Sequence, residues 1–140
     1  MSQKLQFPVR IPFVEELGLE LWAYHGGTSE VRVDLAEAHL NSWEVAHGGV
    51  LMTMLDVAMA TAARSVHSKD PGHGPGVVTV EMKTSFMRAA EGELRALAQL
   101  LPPRTNKSGP RRWSRAGAAA AQAIAWVGGQ GNGRLDGATA

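Results

Sequence analysis

Apolar and polar residues change their rhythm several times along this chain, and each rhythm predicts an element. Leu19, Leu21 and Ala23 alternate with Glu20, Trp22 and Tyr24, the period of two expected of a half-buried strand near 18–24. His25-Gly26-Gly27 interrupts that pattern as a hairpin turn would. Val31, Val33 and Leu35 then form the inner face of a second strand near 29–36. From Val50 to Ala63 the alternation stops, and Asp56 is the only ionisable residue in a run of Val, Leu, Met, Ala and Thr. A helix over roughly 48–65 that is apolar around its circumference is expected to be buried on every side.

Beyond the Gly/Pro-dense loop 68–76, Val77 to Met87 alternates again. Val78, Val80, Met82, Thr84 and Phe86 fall on one side, with Thr79, Glu81 and Lys83 on the other. After a turn at 88–92, Leu94, Ala96, Ala98 and Leu100 predict a fourth strand. Earlier in the chain, Pro12–Leu17 reads as a short helix, proline being tolerated in a first turn. The stretch 36–46 reads as a polar connection. The order strand, strand, helix, strand, strand predicts an α+β domain over 1–101, an antiparallel sheet curved around one long central helix.

Residues 102–140 follow none of these rhythms. They hold one valine, Val127, and one isoleucine, Ile124, and by propensity Ala116–Trp126 reads as a short helix. The charge reverses as well: 8 Lys/Arg against 12 Asp/Glu in residues 1–101, but 6 against 1 in residues 102–140. An Ala/Gly/Arg-rich tail therefore stands apart from the domain.

Composition narrows the function classes. The 140 residues contain no cysteine, which excludes thiolate metal sites, disulfides and cysteine nucleophiles. A net charge of +1 argues against nucleic acid as a partner. The helix is too short and interrupted to span a membrane, and the first ten residues lack the apolar core of a signal peptide, so a cytoplasmic protein with no membrane partner is expected. His67, His73 and Asp70 lie in the Gly/Pro loop without a spacing that converges on a cation, so no metal or other cofactor is expected.

The chemistry concentrates in 41–64. On a 3.6-residue helix Asp56 shares a face with Gly49, Met52, Thr53, Ala60 and Ala63. Burying a carboxylate is costly without partners. Gly48 and Gly49 would open the helix, where amides lack intrahelical acceptors and no side chain keeps a ligand oxygen away. Helix-start amides and a carboxylate two turns along suit acyl-group chemistry.

Asn41, His47-Gly48-Gly49 and Asp56, with the 78–82 segment VTVEM and the 85–94 segment SFMRAAEGEL, resemble the phenylacetate-pathway (PaaI-like) type of hotdog-fold acyl-CoA thioesterase. Pro12-Phe13 and Leu17-Gly18 match that family's opening, so the likeness covers about residues 10 to 101. The resemblance implies that the Gly48 N–H binds the thioester carbonyl oxygen. Asp56 acts as general base on water or as nucleophile, Asn41 holds the water or thioester, and the Thr79 hydroxyl assists the water. His47 orders the helix start. Gly49 belongs to the substrate-binding face, and Arg64, Lys83 and Arg88 are candidates near the phosphates of coenzyme A. It also implies a homodimer or homotetramer, formed through 77–86, in which Asp56 of one chain faces Asn41 and Gly48 of the other.

Relatives of this type close the sheet with two strands between the third and fourth. The tail offers no obvious pair, with Arg104-Thr105 the most that matches. An out-of-frame reading of GC-rich DNA beyond codon 101 would account for the abrupt change. Two further readings compete with hydrolysis. A hotdog dehydratase needs a histidine base in a His-Phe-Pro context that none of the five histidines has. A non-catalytic acyl-CoA binder, or an inactive truncated product, remains open because of the tail.

Overall fold

The computed structural model describes residues 3–66, 76–101 and, as backbone, 122–129. Helix α1 spans Pro12–Glu16, with proline in its first turn, and ends at Leu17 before Gly18 takes φ +65°. Strands β1 (Glu20–His25) and β2 (Thr28–Asp34) form a hairpin whose two turn residues, Gly26 and Gly27, both have positive φ. Gly27 is required twice over. Its φ is +83°, and a β-carbon there would lie 3.2 Å from Leu100 and 3.3 Å from Val66; its N–H donates to Ser65 Oγ at 2.7 Å. The hairpin tip is thereby tied to the end of the long helix.

A single 3₁₀ turn, Glu37–His39, leads to helix α2, Gly48–Ser65, which precedes β3 (Glu93–Leu101) and β4 (Gln122–Gly129). The strands form one antiparallel sheet in the order β1-β2-β3-β4. α2 lies across it, against β3, β2 and β4. Leu21, Val31, Val33, Leu94, Ala96 and Ala98 on the sheet meet Val50, Met54, Val57, Ala58 and Ala62 on the helix. The small alanines let helix and sheet come close, and the buried Ser29 hydroxyl donates to the Ala58 carbonyl at 2.6 Å across that contact. Among the described residues no helix is long and apolar enough to cross a membrane.

Four expectations are corrected. A bulge between Leu21 and Ala23 inserts Trp22, so that Ala23 pairs with Glu30 and Tyr24 with the buried Ser29. The parity of β1 reverses there, and Tyr24 rather than Ala23 packs against the core. Residues 76–90 are not a strand, because no described strand lies beside them to pair with their backbone. Their apolar set is also split: Val78 and Val80 are 84% and 91% exposed, while Met82 lines a cleft along α2 and the Phe86 ring reaches Gly48.

The helix α2 is not buried on every side: its Gly49 and Met52 are exposed, and Thr53 and Asp56 are half-buried. The helical reading of Ala116–Trp126 fails at least over 122–126, which belongs to β4 and pairs with β3 from Leu94↔Gly129 to Leu101↔Gln122. Pairing along an open edge outweighs alanine's helical propensity. The 68–75 loop with His73 and Asp70, His67, Arg104-Thr105 and the remaining tail lie outside the described residues.

Candidate active site

The start of α2 is built by four hydrogen bonds. Asn41 Oδ1 accepts from the Trp43 N–H at 2.9 Å and the Val45 N–H at 3.4 Å, closing a tight loop in which Glu44 takes φ 59°. The His47 N–H donates to the His39 carbonyl at 2.8 Å, fixing where the chain enters the helix. His47 is the N-cap, and its Nδ1 accepts from the Gly49 N–H at 2.9 Å. A β-carbon on Gly49 would lie 3.0 Å from that nitrogen, so the glycine makes room for the cap.

Of the two glycine amides, Gly49's is thus occupied within the chain. Gly48 is the first helical residue, and among the described residues its N–H has no acceptor. The Phe86 ring packs 3.5 Å from where a Gly48 β-carbon would be. An unoccupied amide at the positive end of an 18-residue helix, beside an aromatic face, is suited to a carbonyl oxygen that gains negative charge.

Two turns along, Asp56 lines a cleft of about 440 Å³. One wall is the helix face Met52, Thr53, Asp56, Val57, Ala60, Thr61 and Arg64. The other is supplied by Phe7, Pro8, Val9, Ile11 and Phe13, with Val77 and Met82 adding to it. The Thr79 hydroxyl donates to Asp56 Oδ1, bridging from the unpaired segment to the helix. The walls are mainly apolar, and the carboxylate and the Arg64 guanidinium are the charged groups in the lining.

The site residues expected from the sequence therefore separate into two groups. Asp56, Thr79 and Arg64 gather at the cleft, while Asn41, His47, Gly48 and Gly49 gather at the helix start. Along one helix Gly48 and Asp56 are about 12 Å apart at 1.5 Å per residue. Lys83 and Arg88 lie in neither group; both are exposed, and Lys83 stands 3.8 Å from Glu81. Phe7 and Phe13 on the cleft wall, Phe86 over Gly48 and His39 behind His47 were not anticipated as site residues. Phe86 entered the reading only as one of the alternating set 78–86, and the signal of Phe7 and His39 is weak, because an isolated aromatic or histidine has no periodicity to read.

The thioesterase superfamily matches residues 44–108, a span that includes His47, Gly48, Asp56 and Thr79. A protein of Archaeoglobus fulgidus described as "Putative esterase" is 34% identical over 68 residues, 48% of this chain and 40% of that protein. The chain thus spans less than half the length of this curated relative. The solved structure of a conserved protein from Pseudomonas aeruginosa is 33% identical, with a TM-score of 0.60, over 69% of this chain and 75% of that one. The phenylacetic acid degradation protein PaaI of Thermus thermophilus, solved in a mutant form, is 26% identical with a TM-score of 0.58, over 67% and 76% of the two chains.

Proposed function

This chain belongs to the thioesterase superfamily, with its hotdog fold and of PaaI-like type, and on that premise we propose that it hydrolyses acyl-CoA thioesters of small or aromatic acids to the free acid and coenzyme A. The observation that carries the reading is Asp56, a half-buried carboxylate in an apolar cleft, held by the Thr79 hydroxyl on a helix whose first amide is unoccupied.

In the proposed reaction Asp56 takes a proton from water as the water oxygen bonds to the thioester carbon. The carbonyl oxygen becomes an oxyanion and is held by the Gly48 N–H of a second chain. The carbon–sulfur bond then breaks, and the leaving thiolate takes the proton from Asp56. A thioester carbonyl is already electrophilic, so oxyanion donors and a placed base suffice. Thr79 keeps the carboxylate aimed. Asn41, whose Oδ1 is committed to its own loop, has its side-chain N–H₂ to offer the water or thioester. The separation of Gly48 and Asp56 along one helix calls for a homodimer, with the exposed Val78 and Val80 segment as the joining edge.

Release of free CoA thiol by the purified protein from phenylacetyl-, benzoyl- and short-chain acyl-CoAs tests the reading. Asp56→Asn should lower turnover by about 10²–10⁴-fold, the range of a placed general base, with an unchanged circular dichroism spectrum. Near-native turnover by that variant on every substrate would remove Asp56 from the reaction. Tight binding of acyl-CoA without thiol release would make the protein a binder.

A further inference from the structure

Resting on the hydrolase reading, we propose that the cleft selects an acyl group with a carboxylate at its far end, and that Arg64 is the residue that recognises it. Asp56 and Arg64 line the same cleft eight residues apart on α2, with the apolar Val57 and Ala60 between them along the helix and also in the lining. Helical side chains lean toward the N-terminus, so the guanidinium is carried back along the cleft rather than out past the helix end. Arg64 is half-buried, and among the described residues it forms no ion pair.

A cation in the last helical turn is expected from the helix dipole alone, but the dipole does not require that it line a cleft. A guanidinium in a mainly apolar cleft is matched best by a planar anion that it can hold through two hydrogen bonds. The charges also set direction. A carboxylate placed beside Asp56 would be repelled, so a dicarboxylic acyl chain fits with its free acid at Arg64 and its thioester toward Asp56. A neutral acyl chain of the same length would leave the guanidinium unmatched.

The test compares kcat/KM for glutaryl- and adipyl-CoA with pentanoyl- and hexanoyl-CoA, using the full chain and its Arg64→Gln and Arg64→Lys variants. The expected result is a wild-type preference for the carboxyacyl substrates. Arg64→Gln should lower kcat/KM on those alone by about tenfold or more, as for loss of a charge-assisted hydrogen bond, and Arg64→Lys should recover part of it. An equal loss in both series would place Arg64 on coenzyme A or in the fold and overturn the proposal, as would a wild-type preference for the neutral chains. If no substrate releases thiol, the hydrolase reading falls separately, and calorimetric titration with the half-amide of adipic acid, whose neutral end can face Asp56, decides the present one. Binding that Arg64→Gln weakens about tenfold supports it; binding that is absent or unaffected overturns it.

Discussion

At the scale of single residues, the His47–Gly49 pair shows how a glycine can serve a neighbour rather than a ligand. The Gly49 N–H is satisfied by His47 Nδ1, and the missing β-carbon is what lets the ring sit there. His47→Ala should therefore cost about 0.5–2 kcal/mol, as for loss of an N-cap, and lower the melting temperature by a few degrees. Gly49→Ala should destabilise the native protein by pushing the cap aside. In the His47→Ala background the same change should stabilise, because alanine is the better helix former once there is no ring to displace. Calorimetry of the four-protein cycle reads the sign, and two additive single effects would show that the ring and the glycine are independent. Thr79→Val makes a second point. It removes the hydroxyl that holds Asp56 without touching the core. Turnover on acyl-CoA should fall by roughly tenfold, a smaller loss than for Asp56→Asn, because the base is loosened rather than deleted.

Among the described elements, the segment before α1 is held by an ion pair that acid should weaken. Leu5 donates to the Leu21 carbonyl at 2.7 Å, and the Lys4 ammonium reaches Glu20 at 2.7 Å. The hydrogen bond from Lys4 holds the Glu20 carboxyl below its ordinary value of 4.5, with Trp22 Nε1 assisting and burial opposing. A depressed carboxyl stabilises the fold above its unfolded-state value and loses that contribution as pH falls through the lowered one. Protection of the Leu5 amide from exchange should then fall on acidification below about pH 4.5, and Lys4→Ala should flatten that dependence. Because Phe7 to Phe13 wall the cleft, the same loosening would reach the site.

Elements also show what the sequence made legible. The long helix, the Gly26-Gly27 hairpin and β3 announce themselves through period and turn chemistry, and their bounds fall within two residues of expectation. The bulge at Trp22 does not, since a single inserted residue leaves an apolar-polar alternation looking intact while reversing its sense. The alternation of 77–87 correctly marks two unlike faces. It says nothing of which face meets the helix or whether a pairing strand exists, and the exposed Thr79 rather than Val78 reaches the helix through Asp56. β4 is illegible for the opposite reason, because its residues 122–129 pair well with β3 while carrying an alanine- and glycine-rich composition. At the site, residue types and spacing pointed to Asp56 and the helix start, and the family resemblance pointed to Thr79. The division of these groups into two clusters was legible only through the rise per residue of a helix.

For the whole molecule two tests remain, one of closure and one of assembly. β4 covers the outer edge of β3 and touches α2, so removing residues 102–140 would open both. The shortened chain should melt at a lower temperature or aggregate; an unchanged melting curve would mean that β4 adds nothing to closure. Reading the DNA beyond codon 101 in the other two frames addresses the origin of the tail, and two alternating strands in either frame would identify it as a frameshift.

The proposed assembly follows from one distance. Gly48 and Asp56 stand about 12 Å apart on one helix, too far to serve one carbonyl together. In the proposed two-fold dimer, Asp56 of each chain would face the helix start of the other. Asp56→Asn and Asn41→Ala should each be nearly inactive alone. When the two are mixed and allowed to exchange subunits, each heterodimer has one site carrying both changes and one carrying neither. With half the dimers mixed, activity should return to about a quarter of the wild-type value, as two-fold symmetry requires. A site contained within one chain would recover nothing, because every chain in the mixture carries a lesion. Recovery that fails despite subunit exchange, followed by native mass spectrometry, would return the reaction to a single chain. The unoccupied Gly48 amide would then lose its part in it.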